Sequence, residues 1–180
     1  METKIRCAWC EKDDLYRDYH DNEWGNPVYD DDTLFEFLVL ETFQAGLSWY
    51  TILKKRDHFR KAFDQFDYKK VALYNEAKVQ ELMQNEGIIR NQLKIRGTIS
   101  NAVAFMKVQE EFGSFSKYIW GFVNHQPIVN NLKSMSEIKA TTEISDVLSK
   151  DLKKRGFKFV GSTVVYAHMQ ATGMVDDHVA

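Results

Sequence analysis

Two prolines and two cysteines are all that 180 residues contain. Pro27 and Pro127 both sit in loop contexts, and the long stretches between turn signals favour helix. Cys7 and Cys10 stand close together, and a reducing cytosol argues against a structural disulfide there. No apolar run reaches the roughly 18 residues that a membrane span needs. METKIRCAWCEK at the N-terminus has no apolar signal region, so a cytoplasmic protein with no membrane contact is the expectation. Positive charge is not in excess either. A net charge of -2 and a pI near 6.2 do not advertise a nucleic-acid binder, so any such binding must use a local patch. There is no internal repeat, low-complexity segment or Gly/Ser linker. The length suits one domain, or two small lobes sharing a core.

What is present reads as an all-α fold of many short helices, with no alternating strand pattern. DDDTLFEFLVLETFQA opens on Asp residues suited to an N-cap and first turn. Leu34, Leu38, Glu41 and Ala45 follow at helical spacing on one face. GLS breaks this helix, and Ser48 can cap a second one, WYTILKKRDHFRKAF. Further helices are predicted at Asp67–Leu73, Glu76–Gln84, Gln92–Phe112 and Ser145–Arg155, and from about Ser162 to Thr172. In the longest of these, Ile95, Ile99, Ala102 and Met106 form the expected core stripe.

Glu41 is the anomaly in this pattern. A carboxylate on a core-facing stripe is costly unless it is paired or hydrogen-bonded. It is either a structural residue, capping backbone N–H groups or pairing with a buried Arg, or a ligand-facing carboxylate at a pocket wall. Its company favours a ligand. Tyr16, Tyr19 and Trp24 fall within YRDYHDNEWG, with Trp9 just before and Trp49 just after Glu41. Flat faces with polar tips suit stacking on a planar base, and a carboxylate beside them suits a cationic heterocycle. Taken singly, each of these aromatics is better read as core packing.

LKKRGFKFVGST carries a second signal. A helix ends in Lys153, Lys154 and Arg155, Gly156 permits a left-handed cap, and a new helix starts at Gly161. Such a helix–hairpin–helix presents N–H groups that can hold a phosphate without reading the base, with Lys158 adding charge. An ordinary helix–helix turn with a solvated basic end has the same composition. A third signal is the set Cys7, Cys10, His20 and His178, of zinc-ligand types. The hook CAWC is weak evidence by itself, and His58, His125 and His168 belong to no obvious site.

YHDNEWG, LETFQAGLSW, ILKKR, FVNHQP, LSKDLKKRGFKFVG and DDHV, in this order, resemble the 3-methyladenine DNA glycosylase I family, constitutive alkylation-repair enzymes of bacteria. The resemblance runs from about Cys7 to His178. It implies a single glycosylase domain over residues 1–180, with a helix–hairpin–helix fold in two lobes. The termini and residues 145–180 would form the zinc and hairpin side. It implies double-stranded alkylated DNA as substrate, 3-methyladenine as the released base, and a monomer. Glu41 matches the family's base-binding carboxylate. Tyr16, Tyr19 and Trp49 match its pocket residues, with Trp9 and Trp24 as further lining aromatics. Gly46 and Leu47 match the loop that enters the space left by the flipped nucleotide, and Gly156 to Gly161 match the hairpin that grips the backbone. Cys7, His20 and His178 match three ligands of a structural zinc, one per chain. The family's fourth, a Cys shortly after the last His, is missing from a sequence that ends at Ala180. Cys10, a water or another ion could stand in its place.

Two positions refine the class. Related enzymes with lyase activity carry a Lys two residues after the second hairpin Gly. Here it is Thr163, which cannot form a Schiff base, so a monofunctional glycosylase is expected. Asp176, in VDDH, stands where the wider superfamily places a catalytic Asp, and is either a carboxylate near the sugar or a residue orienting the zinc segment. The alternatives to this class are a non-catalytic DNA-binding module, or a glycosylase of the same fold for another alkylated base. The Glu41 pocket separates the first alternative, because a pure backbone binder does not need it.

Overall fold

Capping side chains set most of the helix starts. In the computed structural model, which describes residues 5–179, Asp13 opens α1 (Asp14–Asn22), Asp30 opens α2 (Asp31–Gln44) and Ser48 opens α3 (Trp49–Ala62). Asp67, Asn75 and Asn91 open α4 (Tyr68–Val71), α5 (Glu76–Met83) and α6 (Gln92–Phe112). Ser114 opens α7 (Phe115–Trp120), and Thr142 opens α8 (Glu143–Lys154) with a capping box. The last helix, α9 (Ser162–Ala171), follows Gly161 with no side-chain cap.

The predicted helices are present, with ends that differ by at most two residues. Two were not foreseen: α1, in the aromatic stretch, and the six-residue α7. Two expected faces need correction. α2 is buried almost all round from Leu34 to Phe43, and Ala45 is exposed beyond its end. A helix apolar on every side lies at the centre of a fold, and α2 packs against α3, α6, α7 and α9. On α6 the buried face runs through Lys94, Ile95, Thr98, Asn101, Ala102 and Phe105, whereas Ile99 and Met106 are only partly buried.

The expected absence of strands also needs correction. β1 (Ile128–Val129) and β2 (Val175–Asp176) pair in parallel, Ile128 with Val175 and Val129 with Asp176. A further bridge joins Leu132 to Val179. This short ladder holds the C-terminal segment, and therefore His178, against the body of the protein. His168 is a core residue: its Nε2 lies 3.0 Å from the Leu34 carbonyl, and burial pushes its pKa down to about 4. It is thus neutral near pH 7, with Nε2–H as donor. Among the described residues no helix is long and apolar enough to cross a membrane.

Beside the main core lies a smaller cluster of Cys7, Tyr19, Trp24, Phe37, Leu53 and Ala171. Trp9, Tyr16, Trp49 and Val179 pack against it. Nearly all the aromatic candidates therefore meet in one place.

Candidate functional site

A cavity of about 410 Å³ opens between α1, α2, the start of α3 and α9. Glu41 and all five predicted aromatics, Trp9, Tyr16, Tyr19, Trp24 and Trp49, line it. Glu41 is 4% exposed. Among the described residues no hydrogen bond or ion pair engages its carboxylate, so neither the capping role nor the buried Arg partner applies. Desolvation alone pushes its pKa from the usual 4.5 to about 8. The hydroxyls of Tyr16 and Tyr19 are also shifted upward, chiefly by burial and secondarily by nearby charges including Glu41; Tyr16 reaches about 12. Both remain neutral phenols that can donate a hydrogen bond.

The walls are made by ring against ring. Trp9 meets Tyr16 at 4.9 Å and Trp24 at 5.0 Å between centroids. Tyr19 lies 5.5 Å from Trp49, which is also stacked at 6.5 Å against Phe37. Tyr16 stacks on Tyr50, whose hydroxyl donates to Asp13, the cap of α1. The Trp49 Nε1–H is buried with no partner among the described residues. A buried donor left unpaired costs free energy that folding alone does not offset. An unpaired carboxylate in a cavity walled by aromatic rings is what a polar, planar ligand would complete, and Trp49, with its unpaired indole N–H, is part of that wall.

Two turns flank this site. Between α2 and α3, residues 45–48 are all exposed, and Gly46 adopts φ +83° with open space around its Cβ position. Only glycine takes that conformation without strain, and it turns the chain so that Leu47 projects outward. The second turn is the hairpin between α8 and α9. Gly156 is left-handed, as expected, while Gly161 is extended. Lys158 and Phe159 are exposed, and Val160 is tied down by Ser149 Oγ donating to its carbonyl at 2.6 Å. Because α9 is the one α-helix among the described residues without a side-chain N-cap, its first N–H groups are open to an anion.

Cys7, His20 and His178 also come together, behind the pocket. The His20 and His178 ring centroids are 4.8 Å apart, and the Cys7 N–H donates to His20 Nε2 at 3.4 Å. Each imidazole is oriented by a carboxylate on Nδ1: Asp21 for His20 at 2.9 Å, Asp176 for His178 at 2.7 Å. Carboxylate–histidine pairs of this kind normally set Nε2 toward a metal, so the donor types fit zinc. Among the described residues, though, no three such side chains converge into a group that could hold an ion as arranged. Cys10 is turned away, its thiol donating to the Cys7 carbonyl at 3.1 Å, and both cysteines are free. Asp176 also accepts from the His178 backbone N–H at 3.1 Å. The rings of His20 and His178 also pack on Trp24, linking this cluster to the pocket wall.

The family profile described as methyladenine glycosylase matches residues 9–180. The chain belongs to the methyladenine glycosylase family. Among this family's members, DNA-3-methyladenine glycosylase 1 of Escherichia coli (strain K12) is 52% identical over 174 residues, covering 97% of this chain and 93% of that protein. A crystal structure of 3-methyladenine DNA glycosylase I superposes with TM-score 0.94 at 49% identity, covering 98% of this chain and 97% of that one. A variant of 3-methyladenine DNA glycosylase I in complex with 3-methyladenine superposes equally well, at 37% identity over 97% of this chain and 94% of that one. In this methyladenine glycosylase the cavity has further lining residues that sequence reading missed: Gln44, Met135, Ile138, Ala167 and Gln170. Gln44 was within reach, because it follows Glu41 by three residues on one helical face. Asp177 was also missed. It is buried and accepts from Tyr166, Asn130 and Gln170, so it orients the Gln170 amide at the cavity edge.

Proposed function

We propose that the protein excises 3-methyladenine from alkylated double-stranded DNA by hydrolysing the N-glycosidic bond. One observation carries this reading: a buried, unpartnered carboxylate, Glu41, in a cavity walled by aromatic rings. The target must leave the duplex to reach such a cavity. Methylation at N3 gives the base a positive charge, so it is already a good leaving group. The bond breaks with its electron pair passing to the base, which departs as neutral 3-methyladenine. Water supplies the hydroxyl to C1′ and releases a proton. Glu41 selects the cationic base, the Tyr16 or Tyr19 hydroxyl hydrogen-bonds its edge, and Trp49 stacks on its face. Trp9 and Trp24 complete the wall. Gly46 and Leu47 occupy the space left in the stack, while Gly156, Lys158 and Gly161 hold the backbone through the hairpin and the uncapped start of α9.

Thr163 offers no amine for a Schiff base, so the strand stays intact. Incubation with methylated duplex DNA, with no metal or cofactor added, is expected to release free 3-methyladenine and leave alkali-labile abasic sites. Strand nicking before alkali would contradict the monofunctional assignment. Tight DNA binding without base release would favour a non-catalytic damage-binding module.

Cys7, His20 and His178 would hold a structural zinc that ties the N-terminal segment to the C-terminal one. The ion would cross-link these segments and brace Trp24, with no part in bond cleavage. Protein prepared with zinc is expected to carry about one ion per chain, and chelation should lower its melting temperature. A metal-free protein whose melting is indifferent to zinc and to chelator would contradict this assignment.

A further inference from the structure

α6 reaches both of the turns that flank the pocket. At one end Lys94, 9% exposed, sends its ammonium to the carbonyls of Phe43 at 3.2 Å and Ala45 at 2.8 Å. These belong to the C-terminal end of α2, where carbonyls have no partner within the helix and the dipole is negative. Two turns along the same face, Asn101 is 1% exposed and grips the hairpin from both sides. Its amide donates to the Lys158 carbonyl at 3.0 Å, and its oxygen accepts from the Lys158 N–H at 2.7 Å. Between them Gly97 lies flush against the hairpin, where an added Cβ would meet the Phe159 ring at 2.8 Å.

We propose that α6 is a strut that fixes the Gly46–Leu47 turn and the Gly156–Gly161 hairpin in one frame, with Lys94 and Asn101 as positioning residues for excision from duplex DNA. The inference rests on the DNA-repair reading above and deepens it. Seven residues of α-helix separate the two anchors by about 10 Å, and a helix is stiff over that length. The turn that enters the base stack and the hairpin that holds the backbone must act on one duplex at one register. The turns belong to different helix pairs, and although α2 and α9 pack directly, among the described residues only α6 sends side chains to the backbone of both turns themselves. Lys94 and Asn101 have no place in the cavity lining, so free-base binding does not depend on them directly. The desolvation that pushes the Lys94 pKa down is consistent with a cation kept buried for its geometry.

The test compares two readouts in Lys94→Met, Lys94→Arg and Gly97→Ala: binding of free 3-methyladenine, and kcat and KM on methylated duplex DNA. For Lys94→Met, free-base affinity is expected within about twofold of wild type, while kcat/KM on duplex falls about tenfold or more. Lys94→Arg should recover most of that loss. Gly97→Ala leaves the buried cation in place and crowds the hairpin through the Phe159 ring and the Lys158 side chain, so it should show the same split if Lys94→Met folds poorly. Parallel loss of both readouts in both variants would show a merely structural role and overturn the proposal. Unchanged duplex excision would overturn it too. Wild-type protein that releases no base would overturn the proposed function itself, and the strut with it.

Discussion

Glu41→Gln is expected to give a more stable protein that barely excises 3-methyladenine. The stability gain follows from linkage. The unfolded chain gives up the Glu41 proton near 4.5, and the folded protein holds it to about 8. Unfolding therefore releases a proton in that window, and stability falls as pH rises from about 4.5 to about 8. A tenfold change in proton affinity corresponds to about 1.36 kcal/mol, so the native carboxyl costs on the order of a few kcal/mol near pH 7.5. A neutral amide of the same shape removes that cost. The activity loss comes from the same change, because the amide has no charge to offer a cationic base. Losing a charge-assisted contact of about 2–3 kcal/mol corresponds to roughly 100-fold in kcat/KM. Thermal denaturation at pH 5 and pH 8 checks the first half, and single-turnover excision checks the second. A Gln variant that is less stable at pH 8 would mean Glu41 is a structural residue after all.

Trp49→Ala should lose about 10- to 100-fold in affinity for 3-methyladenine, since base–aromatic stacking contributes about 1–3 kcal/mol per base. Trp49→Phe separates the flat face from the polar tip. It keeps a ring backed by Phe37 but removes the buried, unpartnered N–H. If stacking dominates, Phe recovers most of the affinity. If the indole N–H serves the ligand, Phe behaves more like Ala. Titration of free 3-methyladenine against intrinsic fluorescence reads both variants, and an Ala variant within about twofold of wild type would remove Trp49 from the recognition surface.

Much of this pocket was legible because its parts are local in sequence. Glu41 stands out against an apolar helix, and the aromatic cluster around it is dense. The caps of α2 and α3 were visible as Asp and Ser before apolar runs. The hairpin announced itself through two glycines at the right distance. What stayed hidden depends on long-range contact. α7 is six residues long, too short for a periodic signal. α1 is helical, but its aromatic positions mark the pocket wall rather than a regular apolar stripe. Met135 and Ile138 reach the cavity because the β1–β2 pairing fixes a loop remote in sequence. Lys94 and Asn101 fell outside the expected stripe of α6 because each is a polar residue buried by a partner more than 50 positions away. Burial of that kind depends on tertiary hydrogen bonds, which no pattern of hydrophobicity encodes.

The most direct test of a charge-reading carboxylate is the pH profile of kcat/KM on methylated duplex DNA, for wild type and Glu41→Gln side by side. The methylated nucleotide in DNA is cationic throughout, and kcat/KM reports ionisation of the free enzyme. Wild type is expected to rise with pH, approaching tenfold per pH unit well below the Glu41 pKa, and to level off above about 8, where Glu41 becomes fully ionised. The Gln variant should be low and flat across the same range. A wild-type profile that is flat from about pH 6 to 9, or a rise shared equally by the Gln variant, would contradict recognition of the base by the Glu41 charge.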